Sequence, residues 1–177
     1  MKKQALRNLA FALFLLFFFV ATAFAEDSEV ARQTLREIPG VYVIVEDLQP
    51  NLLKYERYAK EFDLNKARVL RDAEQSLSEG GIKALSREEW EKTPGRPVLY
   101  VNINTHENEK YWFAYDIKVE LRQVVFLEAN PNVKTLANTW SINITGVANI
   151  GNLDIIRKDT GVLVGRFVQA YWAVNKK

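Results

Sequence analysis

Tyr111-Trp112-Phe113-Ala114-Tyr115-Asp116-Ile117-Lys118-Val119-Glu120-Leu121-Arg122 is the stretch on which the fold turns. Tyr111, Phe113, Tyr115, Ile117, Val119 and Leu121 fall on one side of a period of two, and Trp112, Asp116, Lys118, Glu120 and Arg122 on the other. Successive side chains of a strand point to opposite faces, so the pattern predicts a strand with one buried and one wet face. The neighbouring segments keep the same period. Upstream, Leu99, Val101 and Ile103 alternate with Tyr100, Asn102 and Asn104. Downstream, Leu136, Trp140, Ile142 and Ile144 face away from Thr135, Thr139, Ser141 and Asn143. Glu107–Lys110 and Asn130-Pro131-Asn132 supply turn residues, and the three strands read as an antiparallel meander.

Towards the N-terminus, Val41–Leu48 is an apolar run bounded by Pro39-Gly40 and Gln49-Pro50, which predicts a buried strand. Asn51–Phe62, rich in Tyr and Lys, reads as a loop with helical turns. Asp63 then stands as the cap of a helix carrying Ala67, Leu70, Ala73 and Leu77 at helical spacing, ended by Gly80-Gly81. Ile82–Leu85 follows as a short strand, Ser86-Arg87-Glu88-Glu89 matches a capping box that opens a brief helix with Trp90, and Thr93-Pro94-Gly95 reads as a tight turn. Beyond the meander, Leu153, Ile156, Leu163, Phe167, Ala170, Tyr171 and Val174 mark an amphipathic helix, in which Gly161 and Gly165 have the spacing of a close-packing motif. The order predicts an α+β two-layer sandwich: a β-α-β start, an antiparallel three-strand meander, and a C-terminal helix packed on one face of a mixed sheet.

Composition narrows the chemistry. The chain has 177 residues, 24 Lys+Arg, 22 Asp+Glu, one histidine and no cysteine. Without cysteine there is no disulfide framework, thiolate zinc site or cysteine nucleophile, and one histidine excludes a multi-histidine site within one chain. No metal and no cofactor is expected. Lys2, Lys3 and Arg7, the apolar run Leu9–Val20, and small residues at Ala23 and Ala25 form the tripartite pattern of a signal peptide cut after Ala25. The domain reading is therefore residues 1–25 as leader, 26–40 as an N-terminal extension and 41–177 as one domain, periplasmic or secreted from a bacterium, with no stable membrane insertion after cleavage. The leader holds three of the basic residues and no acid, leaving 21 basic against 22 acidic residues. No basic stripe survives, which removes the electrostatic argument for nucleic acid.

The wet face of the meander carries the candidate binding residues: Tyr100, Asn102, Asn104, Lys118, Glu120, Arg122, Thr139 and Ser141. Amide, hydroxyl and mixed charge around an aromatic ring suit an envelope protein or a glycan as partner. Trp112, Val124 and Phe126 are apolar residues on this same side, which calls for a bulge, a cover, or an interface between two copies in a homodimer. No Gly-rich phosphate loop, nucleophile elbow or helix-borne zinc motif occurs, and catalysis is not expected. The rival is a small hydrolase or glycan-processing enzyme using Asp47, Glu120 and His106, which requires those side chains to meet within about 10 Å. Beside Glu107 and Glu109, His106 reads instead as a solvated hairpin tip.

Gly81-Ile82-Lys83-Ala84-Leu85-Ser86-Arg87-Glu88-Glu89-Trp90, set between a strand-helix start and long alternating strands, resembles a group of small exported bacterial α+β envelope domains. The N-terminal domain of the Tol–Pal translocation protein TolB belongs to that group. The layout is similar over most of Val41–Val174, the sequence only over Gly81–Trp90. The resemblance implies non-catalytic protein association in the envelope and brings no catalytic residue with it.

Overall fold

The computed structural model describes residues 27–175, so the expected leader and its expected cleavage site lie outside the described residues. In chain order the elements are α1 (Glu29–Gln33), β1 (Tyr42–Val45), α2 (Pro50–Leu53), α3 (Glu56–Glu61), α4 (Lys66–Glu79), α5 (Arg87–Lys92), β2 (Val98–Glu109), β3 (Trp112–Leu127), β4 (Asn130–Asn149), a 3₁₀ turn (Ile150–Asn152) and α6 (Asp154–Val174). One sheet has the order β1-β2-β3-β4, with β1 parallel to β2 and the remaining pairs antiparallel. This is the α+β arrangement that the alternating strands predict.

Alternation builds the core directly. Val43, Leu99, Leu121 and Trp140 lie side by side across the four strands, followed by Val45, Val101, Val119 and Ile142. α4 brings Val69, Ala73 and Leu77 onto this face, and α6 brings Ile156, Leu163, Val164, Phe167 and Ala170. Their three- and four-residue spacing gives each helix one apolar stripe. Among the described residues no helix is long and apolar enough to cross a membrane.

Several local expectations change. The stretch read as an N-terminal extension is integral, because Leu35 and Ile38 are buried in the core and α1 packs beside α6 and β4. Asn51–Phe62 is ordered into α2 and α3, which bury Leu52 and Ala59. Ile82–Leu85 makes a single bridge, Val41 to Ala84, rather than a strand: Ile82 N–H is spent on Leu77 O, closing the end of α4. β2 continues to Glu109 and reverses at Tyr111, whose φ is 71°, so His106 sits within a strand. Asn130–Asn132 opens β4, and the turn lies at Glu128-Ala129. Neither Gly161 nor Gly165 has an atom within 4 Å of where a Cβ would stand, so their spacing serves no close packing.

The cap of α4 is also shifted. Asp63 has φ 50°, and Asn65 takes the cap position, its side-chain oxygen accepting from Arg68 N–H at 2.9 Å. Asn65→Ala is expected to lower the unfolding free energy by about 1 kcal/mol in urea denaturation. An equal loss from Asp63→Ala instead would return the cap to Asp63. The capping box of α5 forms as predicted, with Ser86 Oγ accepting from Glu89 N–H and Ser86 N–H donating to Glu89 Oε2.

The most consequential change is a bulge in β4. Leu121 faces Trp140, but the next residue, Arg122, faces Asn138, and Thr139 is left without a cross-strand partner. One extra residue inverts the side on which the side chains of 134–138 fall, as far as the next irregularity of the ladder. Leu136, grouped with Trp140 by simple alternation, is therefore carried to the opposite face, where it is 54% exposed.

Candidate functional site: the open sheet face

Even-numbered residues of β1, of β2 as far as His106, and of β3 point away from α4 and α6. Across this second face Val98, Arg122 and Asn138 form one row, Ile44, Tyr100, Glu120 and Ser141 the next, then Asn102, Lys118 and Asn143, then Asn104, Asp116 and Thr145. α5 covers one corner, where the Trp90 ring lies 5.4 Å from the ring of Tyr42.

The centre of the face is a closed polar network. Arg122 lies over Tyr100, its guanidinium carbon 3.5 Å from the ring centroid, and its Nε and Nη2 reach Glu120 Oε2 at 2.8 and 2.6 Å. Lys118 Nζ stands 3.4 Å from Glu120 Oε1, and Asn138 Nδ2 donates to the same oxygen at 3.2 Å. These neighbours leave Glu120 only 7% exposed on a face that no helix covers there. A carboxylate withdrawn from water this far is tolerable only when paired and hydrogen-bonded, and here both oxygens are occupied. Burial, then the hydrogen bond to Glu46, raises the Tyr100 phenol above its usual pKa against the opposing pull of Arg122. Further along, Gln49 Nε2 donates to Asn104 Oδ1, Asn104 Nδ2 to Asn102 Oδ1, and Asn143 Nδ2 to Asp116 Oδ1 at 3.1 Å.

Seven of the eight sequence-derived residues lie on this face: Tyr100, Asn102, Asn104, Lys118, Glu120, Arg122 and Ser141, the last of them buried. Thr139 does not. As the bulged residue it donates its hydroxyl to Leu121 O at 3.3 Å and accepts from Gln123 Nε2, whose amide also donates to Thr34 O. The hydroxyl thus ties the bulge to the chain just after α1.

The three apolar residues separate into two groups. Trp112 faces Asn149 at one end of β3, close to the exposed Val147. Val124 and Phe126 stand at the other end with Leu136, where β3 and β4 run past the start of β2 as a two-stranded arm. A bulge does exist, but on β4, so Val124 and Phe126 keep the open side and gain Leu136. Sequence reading missed Leu136, and with it Arg96 and Lys134, which border this cluster.

Asp47, Glu120 and His106 are not brought together. Asp47 is largely exposed and pairs with Lys66 at the start of α4, 2.8 Å away. His106 faces Ala114, six residues along β3 from Glu120, a separation of about 20 Å at strand rise. Among the described residues no group of three or more His, Asp or Glu could hold a metal ion.

Fold and face together define an α+β protein with a four-stranded mixed sheet, the helices α4 and α6 packed on one side, and a second side covered by α5 at one corner, with a polar centre and apolar ends. No family model, curated protein or solved structure matches the chain.

Proposed function

We propose that the protein is a non-catalytic binding module that meets an envelope protein or glycan through the open sheet face. The carrying observation is the contrast between a self-satisfied centre and uncovered apolar ends. Because Glu120, Arg122, Tyr100 and Asn138 satisfy one another, the centre is a preorganised platform that needs no rearrangement to be covered. Trp112 and Val147 at one end, Phe126 and Leu136 at the other, are apolar surface that a partner would withdraw from water. The leader pattern in residues 1–25 and the resemblance of Gly81–Trp90 support an envelope setting.

The test is in-cell crosslinking from a photoreactive residue at Asn104 or Asn143, both exposed on the face, against a control at Glu74 on α4. One discrete adduct from the face positions, missing at Glu74, is the expected result. No adduct, or the same adducts from all three, overturns the reading.

A second copy is favoured by one further observation. β4 is an edge strand, and Trp140–Asn149 contains neither charge nor proline, the two usual guards of an exposed edge. A crosslink from Asn143 at twice the chain mass would identify that partner.

A further inference from the structure

We propose that the groove at the base of the β3–β4 arm is a binding site for a small anionic amphiphile: one acidic head group on a hydrocarbon or aromatic body. It deepens the reading above at one end of the face. Pairing of β2 with β3 ends at Val98 and Arg122, and the arm continues to Leu127 and Asn130. The turn Thr93–Arg96 is held against it by Val124 N–H, which donates to Gly95 O at 2.7 Å. Between turn and arm lies a groove of about 590 Å³, within the range of small-molecule sites.

The lining has two chemical parts. Val124, Phe126 and Leu136 make an apolar floor, with Phe126 61% exposed. Arg96 and Lys134 line it as well, and none of the nine lining residues is acidic. Among the described residues neither cation has an ion-pair partner; Lys134 Nζ lies 5.3 Å over the Phe126 ring. Among the other described lysines and arginines most are paired with carboxylates, whereas these two stand beside exposed apolar side chains with no acid facing them. Arg96 also holds φ 42°, a left-handed conformation that a non-glycine residue adopts at a steric cost. Strain of this kind clusters at sites of function, and here it presents a guanidinium where glycine would fit the backbone better.

Sign and shape choose the occupant. A second copy seated groove against groove would set four cations against one another, and a purely apolar ligand would leave both charges unanswered. An acid with an apolar tail satisfies both parts, the head between Arg96 and Lys134, the tail on Val124, Phe126 and Leu136.

The experiment is calorimetric titration of the purified protein with dodecanoate below its micellar concentration. Dodecyltrimethylammonium supplies the same tail with the opposite charge, and acetate the same head without the tail. Dodecanoate is expected to bind at one molecule per chain, with the cationic analogue at least about tenfold weaker, since opposing charge in the groove becomes repulsion. Arg96→Gly and Lys134→Gln should each weaken dodecanoate roughly fivefold, and Phe126→Ser should weaken both amphiphiles. Arg96→Gly relieves backbone strain and Phe126 is exposed, so these variants are expected to keep the fold, and circular dichroism is the check. Equal binding of anionic and cationic amphiphiles, saturable binding indifferent to all three substitutions, or no binding would each overturn the site. Crosslinking from Asn104 can succeed while this titration fails, which keeps the two readings separable.

Discussion

Trp140→Ala is expected to lower the unfolding free energy by about 4 kcal/mol, because a fully buried indole leaves a cavity that its surroundings close only in part. Trp140 is 1% exposed, packs edge-on against Phe167 of α6 with centroids 5.3 Å apart, and donates its Nε1–H to Asp27 Oδ1 at 2.6 Å. Asp27 also receives both the Nε and Nη2 of Arg32, at 2.8 and 2.7 Å. One side chain thus joins the edge strand, the long helix and the segment that leads into α1. Trp140→Phe keeps a smaller aromatic ring and loses the donor, so its cost should be about 2 kcal/mol, less than that of alanine. Urea denaturation of the two variants separates packing from hydrogen bonding; equal losses would assign the whole effect to the hydrogen bond.

The same site sets an acid limit. Burial pushes the Asp27 carboxyl up, but the hydrogen bonds from Arg32 and Trp140 outweigh it and hold the pKa below its ordinary 3.8. A lowered folded value means that this contribution is present above the unfolded pKa and is lost as pH falls through the folded one. Trp140→Phe and Asp27→Asn should therefore flatten the loss of stability on acidification below pH 4, and an unchanged acid limb would remove Asp27 as its source.

These tests fall on residues that differ in how far the sequence announced them. Trp140 was legible as core, because Ile142 and Ile144 continue its period towards the chain's end. Leu136 was not, although it belongs to the same apparent series. A bulge adds one residue to one strand, and at Thr139 no glycine or proline marks it; only the cross-strand register reveals the inversion. The polar face was legible for β2 and β3, whose pairing holds one register from Val98 to Glu107. Its energetics were not, since the burial of Glu120 comes from Arg122, Lys118 and Asn138 meeting across strands rather than from its own neighbours in sequence. Arg96 and Lys134 were invisible as a pair for the same reason: a turn before β2 and the returning strand of an arm come together only in the fold. Ile82–Leu85 shows the opposite failure, a strand-like composition taken up in closing a helix, because the bridge Val41–Ala84 uses only one of its residues.

Gly146 carries the last prediction, and its reason is a close approach of chains. It sits opposite Tyr115 across β3 and β4, and a Cβ at this position would lie 2.4 Å from both Cζ and the hydroxyl oxygen of Tyr115. The aromatic ring thus crosses the space where any other residue would begin its side chain. Tyr115 is buried there and donates to Asp159 Oδ2 at 2.6 Å, which anchors the centre of the sheet to α6. Gly146→Ala must displace the ring, break that hydrogen bond and open the contact between sheet and helix, at a cost of about 3 kcal/mol. Tyr115→Val removes the obstruction, so the double variant should be more stable than the sum of single losses predicts, by about 1 kcal/mol or more. Strict additivity would mean that the ring is not what meets the new methyl group. Titration gives an independent reading: burial, then the bond to Asp159, pushes the Tyr115 pKa up to about 12. The folded value is raised, so its stabilisation is complete below the ordinary phenol pKa near 10 and disappears as pH rises through about 12. In Gly146→Ala the displaced phenol should ionise nearer 10, visible as earlier phenolate absorbance while the protein is still folded. A glycine in mid-strand is weak as a strand former, yet at this position its missing side chain is what lets the sheet hold the helix.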